Sequence, residues 1–241
     1  MIDLDLTDGV TPSLSFLAAE YTSPRSAYGT VYRIVDNSSM EGEQRRTFLT
    51  QEPVAMLATG SATASMAGAT AASISSETGF SAQSNATTGN TDIVVAGAET
   101  NPTEWGRTFV ISANTALMIE ADYLLEASLL NRVNPQEVAS ASLLLEAYLK
   151  ASTSAGQEVK SFFDYAYTSA ETGDHDQKSG HIKFTFENAS SSNREGFFTQ
   201  VGARTYVAVG AVPEADTSLM AMLGLGAMGA VVARRRQQKL G

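Results

Sequence analysis

Cysteine is absent from this 241-residue chain, and histidine and tryptophan are scarce, with two and one copies. Without cysteine there is no disulfide scaffold, no thiolate-bound zinc or iron–sulfur cluster and no thiol nucleophile. Positive charge is also in short supply. Sixteen Lys and Arg stand against 26 Asp and Glu, a formal charge of −10 with a pI near 4.7. That balance excludes nucleic acid as the expected partner, because phosphate binding needs clustered cations. A mean hydropathy of −0.08 excludes a multi-spanning membrane protein, and an apolar fraction of 43% excludes a wholly disordered chain. Phosphate loops, dinucleotide fingerprints and the Gly-x-Ser-x-Gly nucleophile elbow are missing as well.

What is present is alternation. Residues 13–21 and 28–35 are β-branched and aromatic runs separated by a Pro/Ser/Arg turn, and 108–112 is a further strand candidate. In 117–130, Leu117, Ile119, Tyr123, Leu125 and Leu129 fall on one face, with Glu120, Asp122 and Glu126 on the other. The period of two predicts a strand, while the Leu/Ala/Glu content also suits a helix. Residues 141–149 repeat the pattern through Leu143, Leu145, Ala147 and Leu149, after a turn marked by Asn131, Asn134 and Pro135. Ile182, Phe184 and Phe186 alternate with Lys183, Thr185 and Glu187. Beyond the turn at 188–193, Val201, Ala203, Thr205, Val207 and Val209 alternate again. Many short strands with Ser/Thr/Asn/Gly turns predict an all-β antiparallel sandwich of jelly-roll type over residues 1–211. Within it, 25 of the 32 residues 59–90 are Ala, Ser, Thr or Gly. This stretch is expected to form a weak strand around 54–72 and then a mobile loop to about 91, because small side chains bury little apolar area.

The C-terminal end is different. Residues 218–233 carry no charge, and Arg234, Arg235, Arg236 and Lys239 follow at once. As a helix, 218–233 would be about 24 Å long at roughly 1.5 Å per residue, a short transmembrane helix helped by snorkelling arginines. The basic cluster at 234–236 places that end in the cytoplasm and residues 1–211 outside it. Just upstream stand Val212, Pro213, Glu214 and Ala215. A Val-Pro-Glu triplet, a short apolar helix and a closing arginine cluster together resemble the PEP-CTERM sorting signal of exported proteins in exopolysaccharide-producing Gram-negative bacteria. The family pattern has a second proline where this chain has Ala215. The resemblance covers residues 212–239, with the motif at 212–215, the helix at 218–233 and the basic end at 234–239. It implies that an exosortase recognises Pro213-Glu214 and cleaves nearby. The implied route is an inner-membrane-anchored intermediate facing the periplasm, then the cell surface or extracellular matrix. Pro213 bars regular helix and sheet pairing, which keeps the segment extended and accessible.

Export also calls for an N-terminal leader. Residues 1–10 instead carry Asp3, Asp5 and Asp8, and the apolar stretch Leu14–Ala19 is broken by Glu20. The expectation is that the leader precedes Met1.

Chemistry-bearing residues are few. Asp174, His175 and Asp176, with His181 nearby, form the one compact ligand-like cluster, a weak metal candidate whose ordinary reading is a solvated hairpin loop. Glu120, Asp122 and Glu126 have the composition of a glycosidase pair, but the spacing of one polar strand face. Trp105, Tyr28, Tyr32 and Phe109 are candidates for a sugar-stacking platform, with core packing the commoner fate of such rings. Asn37, Asn85 and Asn188 begin glycosylation sequons. The expectation is a non-enzymatic, cofactor-free surface or matrix protein associated with exopolysaccharide or biofilm. A secreted carbohydrate-binding module is the alternative, and a secreted glycoside hydrolase the third reading.

Overall fold

The computed structural model describes residues 1–17, 26–35, 39–49, 57–87, 93–101, 107–129, 136–150 and 157–210. Its regular elements are fourteen strands: β1 (Ile2–Asp3), β2 (Leu14–Phe16), β3 (Ser26–Val35), β4 (Ser39–Phe48), β5 (Gly60–Met66), β6 (Ala69–Ser76), β7 (Gly79–Ala86), β8 (Ile93–Asn101), β9 (Arg107–Ile111), β10 (Thr115–Ser128), β11 (Val138–Leu149), β12 (Glu158–Thr168), β13 (His175–Asn188) and β14 (Arg194–Val209). All described pairings are antiparallel. The alternation that predicts strands over 117–130, 141–149, 182–187 and 201–209 is realised in β10, β11, β13 and β14. The helix that suited the composition of 117–130 does not form. A helix would have distributed its acids and leucines around the axis, whereas the strand puts Leu117 and Leu125 in the core and Glu120, Asp122 and Glu126 in water.

One eight-stranded sheet dominates, in the order β12-β11-β14-β8-β3-β4, with β9 and then β2 paired to the first half of β14. Two three-stranded sheets, β5-β6-β7 and β1-β10-β13, lie against its inner face. The result is an antiparallel sandwich whose second layer is split, instead of the two four-stranded sheets of a jelly roll. Between the layers sits a main core that includes Phe109, Phe186, Phe198, Leu149 and Val201, with a small separate cluster of Ala27, Leu49, Ala58 and Ala62. Burying each such side chain contributes about 1.5–3 kcal/mol. The Phe109 ring lies 5.3 Å from Phe198 and 6.0 Å from Phe186. It crosses directly over Gly196, where a Cβ would come within 2.2 Å of Phe109 Cζ. Only glycine fits there.

The Ala/Ser/Thr/Gly-rich stretch departs from its expectation. The expected strand region 54–72 holds β5 and the first half of β6, and the segment expected to be a mobile loop holds the rest of β6 and all of β7. The three strands are joined by two-residue turns at 67–68 and 77–78. Small residues serve here as a device for close approach. Ala62, Ala64, Ala69 and Ala71 are buried, and a Cβ on Gly29 of β3 would meet the Ala71 carbonyl at 3.0 Å. The apolar area per residue is low, but nearly all of the inward half is used. Residues 54–56 and 88–91, and the turn at 131–135, lie outside the described residues.

Asn188 closes β13. Its amide donates to the carbonyls of Ser112 (2.8 Å), Ser192 (2.8 Å) and Ile111 (3.4 Å), and its oxygen accepts from Ser190. It is completely buried, so this sequon offers no accessible acceptor.

Candidate functional site

The residues picked from the sequence fall into four groups. Val212, Pro213, Glu214, the expected helix over 218–233 and Arg234, Arg235 and Arg236 lie outside the described residues, as does Trp105. Asp174, His175 and Asp176 sit where a tight turn enters β13, and they do not converge. The Asp174 carbonyl accepts from Leu129 N–H at 2.8 Å. His175 stands 4.0 Å from Glu126, and the Asp176 carboxylate accepts from Tyr167 N–H at 2.9 Å. Among the described residues no group of three or more His, Asp or Glu is arranged to hold a metal ion. The cluster is a solvated turn at the start of β13, with His175 and Asp176 on opposite strand faces and each engaged by a separate partner.

The acids of β10 are held in a surface ladder with β13. Glu120 pairs with Lys183 at 3.0 Å, and that hydrogen bond keeps its carboxyl below the usual range. Asp122 accepts from His181 Nδ1 at 2.8 Å, which pushes the imidazole above its ordinary pKa, with Glu120 assisting from 3.8 Å. A cleft of about 1300 Å³ opens between β7 and β10, with Ala141, Leu143 and Val207 among its lining. Thr205 Oγ1 is buried there without a hydrogen-bond partner. Glu120, Asp122, Glu126 and His181 stand at the rim of this cleft, with Glu120 turned to Lys183 and Asp122 to His181.

The sugar-platform expectation splits. Phe109 is in the core at 0% exposure, while Tyr28 and Tyr32 are half-buried on the outer face of the large sheet. That outer face carries a signal that no single segment displays. Cross-strand register puts Tyr165 and Tyr167 (β12), Tyr148 (β11), Tyr206 (β14) and Tyr28 and Tyr32 (β3) on one side. These are six of the eight tyrosines in the chain. Phe163 joins them at 61% exposure, beside Tyr165 at 53% and Tyr206 at 37%. Phe163 and Tyr165 are stacked with centroids 5.9 Å apart, and Tyr148 stacks on Phe197 at 5.0 Å. Four of the ten phenylalanines, Phe109, Phe184, Phe186 and Phe198, are buried in the core, a place that no described tyrosine takes.

Polar groups complete this face. One register row reads Tyr165, Ser142, Arg204, Glu99, Tyr28, and the next reads Tyr167, Ser140, Tyr206, Gly97, Thr30. Arg204 donates twice to Glu99, at 2.7 and 3.0 Å. Glu146 accepts from Tyr148 (3.0 Å) and from Thr199, and this bond raises the Tyr148 pKa. Burial raises the Tyr206 pKa, with the Tyr32 hydroxyl adding to the effect. Sequence reading missed the set because its members lie on four strands spread over most of the chain. The available hint was Tyr165 and Tyr167 two residues apart in a β-prone run.

Among curated proteins none matches this chain. Residues 211–236 match the family described as the PEP-CTERM protein-sorting motif, in agreement with the resemblance carried by residues 212–239, and the match supports export and exosortase-dependent sorting of this protein.

Proposed function

We propose that the protein is a non-enzymatic component of the cell surface or extracellular matrix, delivered by its tail and associated there with exopolysaccharide or biofilm. The observation that carries this reading is the match over residues 211–236, in which motif, apolar segment and basic end follow in order. In this scheme 218–233 spans the inner membrane, Arg234–Arg236 hold the cytoplasmic side, and an exosortase cleaves near Pro213-Glu214. The tail holds four basic residues and two acids, so cleavage at its start leaves a body of −12. A sandwich of that charge, held by its core without disulfides, stays dispersed outside the cell.

The test is fractionation of the native host with intact-mass measurement of each fraction. The Pro213→Ala/Glu214→Ala double variant is expected to accumulate uncleaved in the membrane fraction. Release of that variant at the wild-type mass and level overturns the sorting scheme.

A further inference from the structure

We propose that the outer face of the large sheet binds an uncharged polysaccharide chain, laid across the strands over Tyr165, Tyr167 and Tyr206. The proposal deepens the reading of the body as polysaccharide-associated, because it names the site and the ligand class.

The first ground is the segregation of ring types. A core selects for apolar area alone, and the buried rings of the sandwich are phenylalanines. Tyrosine presents an apolar body with a polar tip, which suits a surface that must cover another apolar face while staying wet at its rim. A pyranose ring has that mixed character: C–H groups on its faces and hydroxyls around its edge.

The second ground is spacing. Tyr167 and Tyr206 stand in one register row with Ser140 between them, two strand spacings or roughly 10 Å apart. Along β12, Phe163, Tyr165 and Tyr167 recur every second residue, roughly 7 Å per step. Gly97 follows Tyr206 in its row and leaves the surface level beyond the ring. Ser140 and Ser142 place hydroxyls between the aromatic positions, at the level where sugar hydroxyls would lie.

Charge then selects the class of polysaccharide. Arg204 is committed to Glu99 through two hydrogen bonds, so the central cation of the face is neutralised in place, while Arg46, opposite Tyr28 at the far β4 end of the same row, lies over the Phe48 ring. An acidic polymer would have to approach a molecule of net charge −10 with that cation already paired. An uncharged chain has no such cost, and the planar Arg204–Glu99 pair offers it both donors and acceptors.

A second copy of the chain fits this surface less well. β12 is an edge strand, but its inward positions are charged: Glu158 and Lys160 pair at 3.1 Å, and Asp164 is held by Lys178 and Tyr123. Inward charges on an edge oppose extension of the sheet by another strand. Lys178 Nζ also sits 4.8 Å over the Tyr165 ring, fixing that ring from the edge.

The experiment is affinity electrophoresis of the full-length chain in a polyoxyethylene detergent, which carries no sugar headgroup. Native gels contain hydroxyethylcellulose, soluble β-1,3-glucan, galactomannan or alginate, and size-exclusion chromatography is run in parallel. Retardation by at least one uncharged polymer and none by alginate is expected. Tyr165→Ala/Tyr206→Ala should weaken that retardation about tenfold or more, Tyr206→Phe should keep most of it, and Phe48→Ala on the opposite edge should keep all of it. Unretarded wild-type protein in all three uncharged gels overturns the proposal. So does retardation that is stronger in alginate, or equal in the double variant. A self-association that the double variant abolishes, without any retardation, reassigns the face to a second copy. Because purified protein is used, these outcomes are independent of whether the tail is cleaved in the host.

Discussion

The two faces of the large sheet are made from the same strands and differ in almost every respect. The inner face is Ala, Leu, Val and Phe, closed over by the two smaller sheets. The outer face is Tyr, Ser and paired ions, left to solvent. On β11 the contrast runs along most of the strand: Ala141, Leu143, Leu145, Ala147 and Leu149 are buried, while Ser140, Ser142, Glu146 and Tyr148 face outward together with one leucine, Leu144. The comparison shows that aromatic content says little until it is assigned to a face. Stability resides on the inner face, and the capacity to meet another molecule resides on the outer one.

The largest expected effect breaks the inner face. Phe109→Ala removes a ring packed against Phe186 and Phe198 and should lower unfolding stability by about 3–5 kcal/mol in urea titrations. The matching outer-face substitution, Tyr165→Ala, should change stability by no more than about 0.5 kcal/mol. If the two losses are similar, the division of labour between the faces is wrong. A smaller effect is expected at the β13–β14 turn. Asn188→Ala leaves the Ser112 and Ser192 carbonyls without their amide donor and should cost about 1–3 kcal/mol by the same titration. The smallest effect belongs to the surface ladder of β10 and β13. His181 is raised by its hydrogen bond to Asp122, so its contribution to stability is fully present below its unfolded pKa and is lost as pH rises through the higher folded value. An NMR pH titration should find that shift, and Asp122→Asn should move the His181 midpoint back down. An unchanged midpoint would show that Asp122 is not the cause.

Legibility followed range. The acidic face of β10 and the apolar faces of β11 and β13 were readable because strand alternation is a local property, checked within ten residues. Asp174, His175 and Asp176 occupy a solvated turn, the ordinary reading of such a run, and His175 and Asp176 point apart because adjacent residues on a strand do. Residues 59–90 misled because composition was weighed without a partner. Alanine and serine bury little by themselves, but they let the backbones of β3 and β6 come close enough to pack. The platform expected from Tyr28, Tyr32, Trp105 and Phe109 divided, with Phe109 in the core and Tyr28 and Tyr32 on the outer face.

What the sequence alone determined is the division of the chain into an acidic, cysteine-free body of alternating strands and a tail with a sorting motif. Both are local patterns: one is set by the two-residue period of a strand, the other by a contiguous run of some thirty residues. Only the tertiary structure decided that the second layer splits into two sheets, that the small-residue stretch is a packed sheet, and that six tyrosines share one face. Those outcomes depend on which strand lies beside which and in what register. A shift of one residue in any pairing would send its side chains to the other side of the sheet.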